Sequence, residues 1–150
     1  MKRAVELSDI AIESNKGGPF GAVIVKDGKI IGEGYNMVTS TNDPTAHAEI
    51  VAIRNACKRV SAFHLEGCEI YTSCEPCPMC LSAIYWAHID IIYYANSHKD
   101  AERIDFSDSF IYKEIRLKPD ERSIPMIPSG NGDALKVFMK WKGKEDKIPY

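Results

Sequence analysis

The sequence lacks any apolar run long enough to cross a membrane. A transmembrane helix needs about 18 or more predominantly apolar residues, and no stretch of this chain approaches that length. The first residues, Met1-Lys2-Arg3, carry charge at once, without the apolar core of a secretory signal. A basic excess is also missing, since the formal net charge is −2, which argues against a nucleic-acid-binding protein. We therefore expect a cytoplasmic protein, with a membrane excluded and nucleic acid disfavoured as partners.

A disulfide framework, internal repeats and low-complexity tracts are absent as well. Five cysteines are an odd number, and in a chain without a signal sequence they are better explained as reduced thiols or metal ligands. The length of 150 residues and the hydrophobic content of 45% suit one globular domain with a sizeable core. We therefore predict a single domain over residues 1–150.

The hydrophobic pattern alternates between helices and strands, which is typical of an α/β fold. Asp27-Gly28 predicts a hairpin turn, and a later strand–helix–strand run predicts a β-α-β unit with parallel strands. The predicted segments are a helix over 2–15, strands over 22–25 and 29–36, a helix from 44, a strand over 68–73, a helix ending at 87, a strand over 90–95, short helices over 98–115, an extended linker over 117–133 and a helix over 134–141.

Two short motifs carry residues that could bind a metal ion and transfer a proton. They are Thr45-Ala46-His47-Ala48-Glu49 and Pro76-Cys77-Pro78-Met79-Cys80. Asp43-Pro44 before the first motif and Glu75-Pro76 at the second predict helix N-termini, because a proline suits the first helical position. Cys77 and Cys80 are three apart, so on a helix they share a face and can bind the same ion.

His47, Cys77 and Cys80 supply the ligand types and number of a catalytic zinc site. Such a site has three protein ligands and leaves the fourth position open for water, whose pKa zinc lowers to about 7. Two thiolates already balance the zinc charge, so we assign Glu49 to proton transfer. In the alternative, Cys74 completes a closed structural site without catalysis, but Cys74 is expected at a strand end, away from the face that Cys77 and Cys80 share.

The pairing of HAE with PCPMC resembles the H-x-E and P-C-x-x-C signature of zinc-dependent nucleobase deaminases. Beyond these motifs, GGPFGAVIVKDG, NDPTAHAE, YTSCEPCPMCLSAIYWA and FSDSFIYKEI are similar to the bacterial guanine deaminases of the cytidine deaminase superfamily, over nearly the whole chain. The resemblance implies a three-layer α/β/α fold with a central mixed five-stranded sheet. It also implies hydrolytic deamination of guanine to xanthine and ammonia, with one zinc ion per subunit.

The resemblance further implies a role for each site residue. His47, Cys77 and Cys80 match the metal ligands, and Glu49 matches the proton shuttle. The positions that match substrate contacts are Phe20, Asn36, Asp108 and Tyr150. Asp108 is also expected to relay a proton to the departing amine. Members of the family form homodimers that exchange the C-terminal helix, so we expect residues 134–150 to be exchanged and Tyr150 to cover a neighbour's site.

Simpler explanations exist for the four substrate positions. Asp108 could cap a helix, Asn36 could end a strand, Phe20 could belong to the core, and a chain end such as Tyr150 is usually frayed.

Other functions also compete with guanine deamination. The chain could be a guanosine or other nucleoside deaminase, or a non-catalytic zinc-stabilised binding module. It could also be a tRNA adenosine deaminase that uses the lysines between residues 136 and 147 as an RNA surface. Glu145 and Asp146 interrupt those lysines, so we favour a packed amphipathic helix there.

Overall fold

Strands and helices alternate along the first part of the chain, as the hydrophobic pattern predicts. The computed structural model describes residues 1–130 and 132–149, and the chain divides into two compact units, residues 1–110 and residues 111–150. The elements of the first unit are α1 (Lys2–Glu13), β1 (Gly21–Lys26), β2 (Lys29–Tyr35), α2 (Val38–Thr41), α3 (Ala48–Val60), β3 (Cys68–Cys74), α4 (Pro78–Trp86), β4 (Ile91–Asn96) and α5 (His98–Glu102). Helix α6 (Ser109–Glu114) follows at the boundary between the units.

The sheet has four strands in the order β2-β1-β3-β4. Strand β1 is antiparallel to both β2 and β3, whereas β3 and β4 are parallel, which confirms the predicted β-α-β unit. The expected fifth strand is wrong for the residues that the structure describes. After β4 these residues form helices and loops, and Pro119, Pro125 and Pro128 lack the N–H that a strand ladder requires.

The predicted hairpin turn between β1 and β2 is confirmed. Asp27 and Gly28 have φ angles of 50° and 72°, and two successive positive φ values are typical of the type I′ turn that suits the twist of a hairpin.

Helices cover both faces of the sheet. On one face, Ala22 and Ile24 pair with Gly34 and Gly32, and the backbone of α3 lies so close that a Cβ atom at either glycine would collide with it. Gly21 points to the opposite face, where the backbone of α1 approaches it in the same way. The main core lies between the sheet and the helices α3 and α4, and it is formed by Ala22, Ile24, Ala48, Ala52, Ala56, Leu65, Cys68, Ile70, Ile84 and Ala87. The predicted α/β architecture with helices on both faces is therefore confirmed.

The strand directions bring four chain segments to one edge of the sheet. Strands β2, β3 and β4 run the same way, so the residues that follow them share an edge with the start of β1. Cys74 pairs with Asn96, and Gly21 N donates to Ser73 Oγ across this edge at 2.9 Å. In open α/β sheets the carboxyl ends of the strands are the usual place for a binding site.

The second unit consists of short helical segments and carries its apolar side chains exposed. It contains a 3₁₀ turn (Pro119–Glu121) and α7 (Gly132–Lys142), close to the predicted helix over 134–141. The exposed apolar residues of α7 are Leu135, Val137, Phe138, Met139 and Trp141. Within the described part of the chain, no helix combines the length and the apolar character that a membrane crossing requires.

Candidate active site

Two helices begin at residues that the sequence assigned to a metal. His47 is the N-cap of α3 and Cys77 is the N-cap of α4, and both have extended backbone angles. Both motifs lie at helix N-termini as predicted, but α3 begins at Ala48 and α4 at Pro78, so the predicted starts at Pro44 and Pro76 are wrong by four and two residues. Asp43 instead closes a turn, because its Oδ1 accepts from Thr45 N at 2.8 Å, and the proline at the start of α4 is Pro78. The cap position directs both ligand side chains away from their helices and towards one point.

His47, Cys77 and Cys80 form a group that fits zinc. Their ligand atoms all lie within 4.8 Å of one another, and His47 Nδ1 is 3.6 Å from Cys77 Sγ and 3.5 Å from Cys80 Sγ. Zn–N bonds of about 2.0 Å and Zn–S bonds of about 2.3 Å at a tetrahedral angle place nitrogen and sulfur about 3.5 Å apart. The observed separations match this value, so the three residues fit a zinc ion with one position left open.

Cys74 does not join this group among the described residues. Its thiol lies 3.6 Å from the Ser97 carbonyl oxygen, and burial raises its pKa to about 11. A neutral thiol directed at a backbone oxygen is not poised to bind a metal, which argues against the closed structural site.

The two cysteine ligands shift each other's pKa in opposite directions. The hydrogen bond from the Cys80 thiol lowers the pKa of Cys77 to about 4, and the same hydrogen bond raises the pKa of Cys80. The hydrogen bond with Cys77 likewise raises the pKa of His47. Zinc requires thiolates and a neutral imidazole, so metal binding must release protons from this cluster.

Glu49 lies in the first turn of α3 and is buried, with 7% of its surface exposed. Burial raises the pKa of its carboxyl group, which is within hydrogen-bonding reach of the Cys80 thiol. Glu49 is not a member of the metal-binding group found among the described residues. A buried carboxyl group beside a metal site, with a raised pKa, suits a residue that accepts and returns a proton.

Asn36 follows β2 and is almost completely buried, with 5% exposure. Its Oδ1 accepts from Gly18 N at 3.3 Å and from Val38 N at 3.2 Å. Two backbone donors therefore occupy the amide oxygen, so the NH₂ group is what Asn36 can offer to a ligand.

Phe20 is half-buried just before β1, at the same edge of the sheet. Its ring meets the ring of Phe106 edge to face, with centroids 5.0 Å apart and planes at 87°. The sequence did not single out Phe106, and its contact with Phe20 has no local signal, because the two residues are far apart along the chain.

Asp108 is half-buried immediately before α6. Burial raises the pKa of its carboxyl group, and the charges of Cys77, His98 and Glu75 also act on it. These interactions place Asp108 in the electrostatic environment of the metal site. Tyr150 lies outside the described residues.

A second unpredicted contact joins the cysteine loop to the end of β4. Glu75 Oε2 accepts from His98 N at 3.1 Å and lies 2.8 Å from His98 Nδ1, while Glu75 N donates to the Asn96 carbonyl oxygen at 2.8 Å. The hydrogen bonds from His98 lower the pKa of Glu75. Glu75 thus ties the loop that bears Cys77 to the neighbouring strand.

The geometry agrees with a known protein family. Residues 1–96 match the family described as the cytidine and deoxycytidylate deaminase zinc-binding region. The chain belongs to this deaminase family. All three candidate zinc ligands of this deaminase, and Glu49 beside them, lie within the matched residues.

Individual relatives of this deaminase extend the similarity beyond the family region. The chain is 53% identical to guanine deaminase from Bacillus subtilis over 150 residues, which cover 100% of this chain and 96% of that protein. The crystal structure of that enzyme superposes with a TM-score of 0.96 at 54% identity, covering 99% of this chain and 95% of the other.

More distant relatives cover less of the chain. A guanine deaminase structure from Nitrosomonas europaea gives a TM-score of 0.68 at 32% identity, covering 71% of this chain and 62% of that one. A tRNA-specific adenosine deaminase from Aquifex aeolicus is 43% identical over 94 residues, or 63% of this chain and 57% of that protein.

Proposed function

We propose that this protein is a zinc-dependent guanine deaminase that converts guanine and water to xanthine and ammonia. The observation that carries the proposal is the full-length similarity to a guanine deaminase, combined with a three-ligand zinc site beside a buried carboxyl group. When bound, zinc supplies the Lewis acid that activates water.

Glu49 is the proton carrier of the proposed reaction. It takes a proton from the attacking water and delivers it to the ring nitrogen next to the carbon that bears the amine. Its raised pKa supports this role, because a general acid and base works best with a pKa near the operating pH.

Asn36 and Asp108 are proposed to bind opposite kinds of group on the base. The NH₂ of Asn36 donates to a carbonyl oxygen or ring nitrogen of guanine, since its own oxygen is held by Gly18 and Val38. Asp108 accepts from the donor edge of guanine, which carries the exocyclic amino group, and relays a proton to that amine as it departs. Phe20 stacks on the flat ring.

We also propose that the protein is a homodimer in which residues 134–150 are exchanged. The support is a row of exposed apolar side chains on α7, together with exposed Tyr85 on α4, since large apolar patches mark protein interfaces. In the dimer, Tyr150 of a second copy covers the site. Deleting residues 134–150 is expected to abolish dimers and activity together, and an active monomer would refute the exchange.

A cytoplasmic location is part of the proposal. All five cysteines are unpaired among the described residues, and zinc binding needs Cys77 and Cys80 as thiolates. A reducing compartment keeps these cysteines free of disulfides and therefore available to bind zinc.

The decisive experiment is a substrate panel. Zinc-loaded protein is incubated separately with guanine, guanosine, adenine, cytosine and cytidine, and ammonia is measured. We expect ammonia, with xanthine, from guanine. Ammonia from a different substrate alone would overturn the assignment.

The similarity to tRNA-specific adenosine deaminases supplies a second candidate substrate. An anticodon stem-loop therefore joins the panel, both as a substrate and in a gel-shift assay at low and moderate salt. Binding that weakens steeply with salt, accompanied by inosine formation, would favour the tRNA reaction, because phosphate contacts are salt-sensitive.

A further inference from the structure

Phe106 lies on the loop between α5 and α6, two residues before Asp108. The main chain holds it there, because Asp105 has a φ of 67° and Phe106 N donates to the Ala101 carbonyl oxygen at 3.0 Å. With 47% of its surface exposed, Phe106 is not a core residue. Its ring is nevertheless fixed in an edge-to-face contact with Phe20.

Gly18 completes this contact. A Cβ atom at position 18 would lie 2.8 Å from Phe106 Cζ and 3.0 Å from Phe20 Cε2, so the glycine backbone packs directly against both rings. Gly18 N also donates to Asn36 Oδ1. Gly18, Phe20 and Phe106 therefore form one packed cluster. This cluster connects Phe20 and Asn36, which are proposed to bind guanine, to the loop that bears Asp108.

We propose that Phe106 is a positioning residue for the base: it holds the Phe20 ring in its stacking position. This inference rests on the proposed function. Phe20 packs against the main core but is only half-buried, and the Phe106 ring covers part of its exposed surface. Without Phe106 that part of the Phe20 ring has no neighbour to hold its rotamer. The ring contact acts on base binding, and the zinc ligands do not depend on it.

The test compares Phe106→Ala with Phe63→Ala. Phe63 is a matched control, because it is 51% exposed and meets the ring of His64 edge to face at 4.5 Å and 74°. It lies in the loop that precedes β3, at the opposite edge of the sheet from the site. Steady-state kinetics with guanine, zinc content and thermal unfolding are measured for both variants and the parent.

We expect Phe106→Ala to raise KM for guanine roughly three- to tenfold, the size of an aromatic pair's contribution, with zinc content unchanged. Phe63→Ala should leave KM unchanged. A merely structural role would reduce the active fraction, and hence kcat, without moving KM. An unchanged KM in Phe106→Ala, or an equal rise in Phe63→Ala, overturns the proposal. If Phe106→Ala does not fold, Phe106→Leu is measured against Phe63→Leu by the same criterion.

A double-mutant cycle with Gly18→Ala tests the contact itself. Alanine at position 18 pushes against both rings, so it should raise KM in the parent protein. In the Phe106→Ala background the closest ring atom is gone, so the same substitution should raise KM by a smaller factor. Multiplicative effects would show that Gly18 and Phe106 act separately and would refute the cluster. A parent protein that releases no ammonia from guanine would refute the proposed function instead.

Discussion

Replacing Glu49 by glutamine tests whether Glu49 transfers protons without binding the zinc ion. Glutamine has nearly the same shape as glutamate but cannot carry a proton. General acid–base catalysis contributes about 10²- to 10⁴-fold to a rate. Because Glu49 is assigned two proton transfers in one turnover, we expect a loss of kcat near the upper end, about 10⁴-fold or about 5.4 kcal/mol of barrier.

Zinc should stay bound in Glu49→Gln, since the carboxylate is not a member of the His47, Cys77 and Cys80 group. Ammonia release with guanine and metal content per subunit are the two measurements. Glu33→Gln is the matched control, because Glu33 bonds to Arg3 away from the site and should keep full turnover. Loss of zinc from Glu49→Gln would make Glu49 a ligand, and turnover within about tenfold of the parent would exclude it as the proton carrier.

The same substitution has a stability consequence with a definite sign. Burial raises the pKa of Glu49 in the folded, zinc-free protein. Above the unfolded pKa of about 4.3, the folded state holds a proton that the unfolded state has lost, so this group makes stability fall as pH rises. Glu49→Gln removes that contribution. In urea unfolding of chelator-treated protein, the variant should therefore gain stability over the parent as pH rises from 5 to 7, and a relative loss would contradict the assigned burial cost.

Three further outcomes follow from other contacts. Gly34→Ala places a Cβ atom 2.3 Å from the Ala48 carbonyl oxygen, so we expect it to destabilise the protein by about 1–3 kcal/mol. The Tm should fall by about 2–4 °C per kcal/mol. Gly130→Ala is the control, because a Cβ atom there has nothing within 4 Å, and it should leave the Tm unchanged. Removing zinc with a chelator should stop turnover but leave the far-UV circular dichroism of the packed sheet and helices, whereas a structural zinc would unfold the chain. The hydrogen bonds from Arg3 lower the pKa of Glu33, so Glu33→Gln should cost at most about 1 kcal/mol at pH 7 in urea unfolding. The cost should begin to shrink as pH falls below the unfolded pKa of about 4.3 and should be lost as pH falls through the lowered pKa of the folded state.

The four strands, the hairpin of β1 and β2 and the parallel pairing of β3 and β4 could be predicted, because local sequence signals agree with the packing of the folded chain. Asp27-Gly28 favours positive φ at both turn positions, and the structure shows both. The continuous apolar run of β1 is typical of a strand buried on both faces, and Ala22, Val23 and Ile24 are buried. Short turns separate the segments with the two-residue hydrophobic period of strands from those with the 3.6-residue period of helices. The order of strands and helices could therefore be predicted.

The helix starts at the metal site could not be predicted from the same signals. An aspartate oxygen that accepts from an N–H two residues on serves either a helix cap or an isolated turn, and Asp43 serves the turn. Pro76 and Pro78 both suit a first helical position, and only the placement of Cys77 as the cap decides between them. The contacts of Phe106 with Phe20 and of Glu75 with His98 depend on strand order, which brings distant segments together.

At the N-caps of α3 and α4, helix stability and metal binding favour different side chains. Residues that accept a hydrogen bond from the first turn are preferred at an N-cap, and losing such a cap costs about 0.5–2 kcal/mol. Neither His47 nor Cys77 makes a side-chain cap, whereas α5, which bears no ligand, has a complete capping box with Ser97 and Asp100. Helices α3 and α4 therefore lack the stabilising side-chain cap that α5 has. In return, their N-terminal partial positive charge favours the thiolate form of the cysteines that zinc requires.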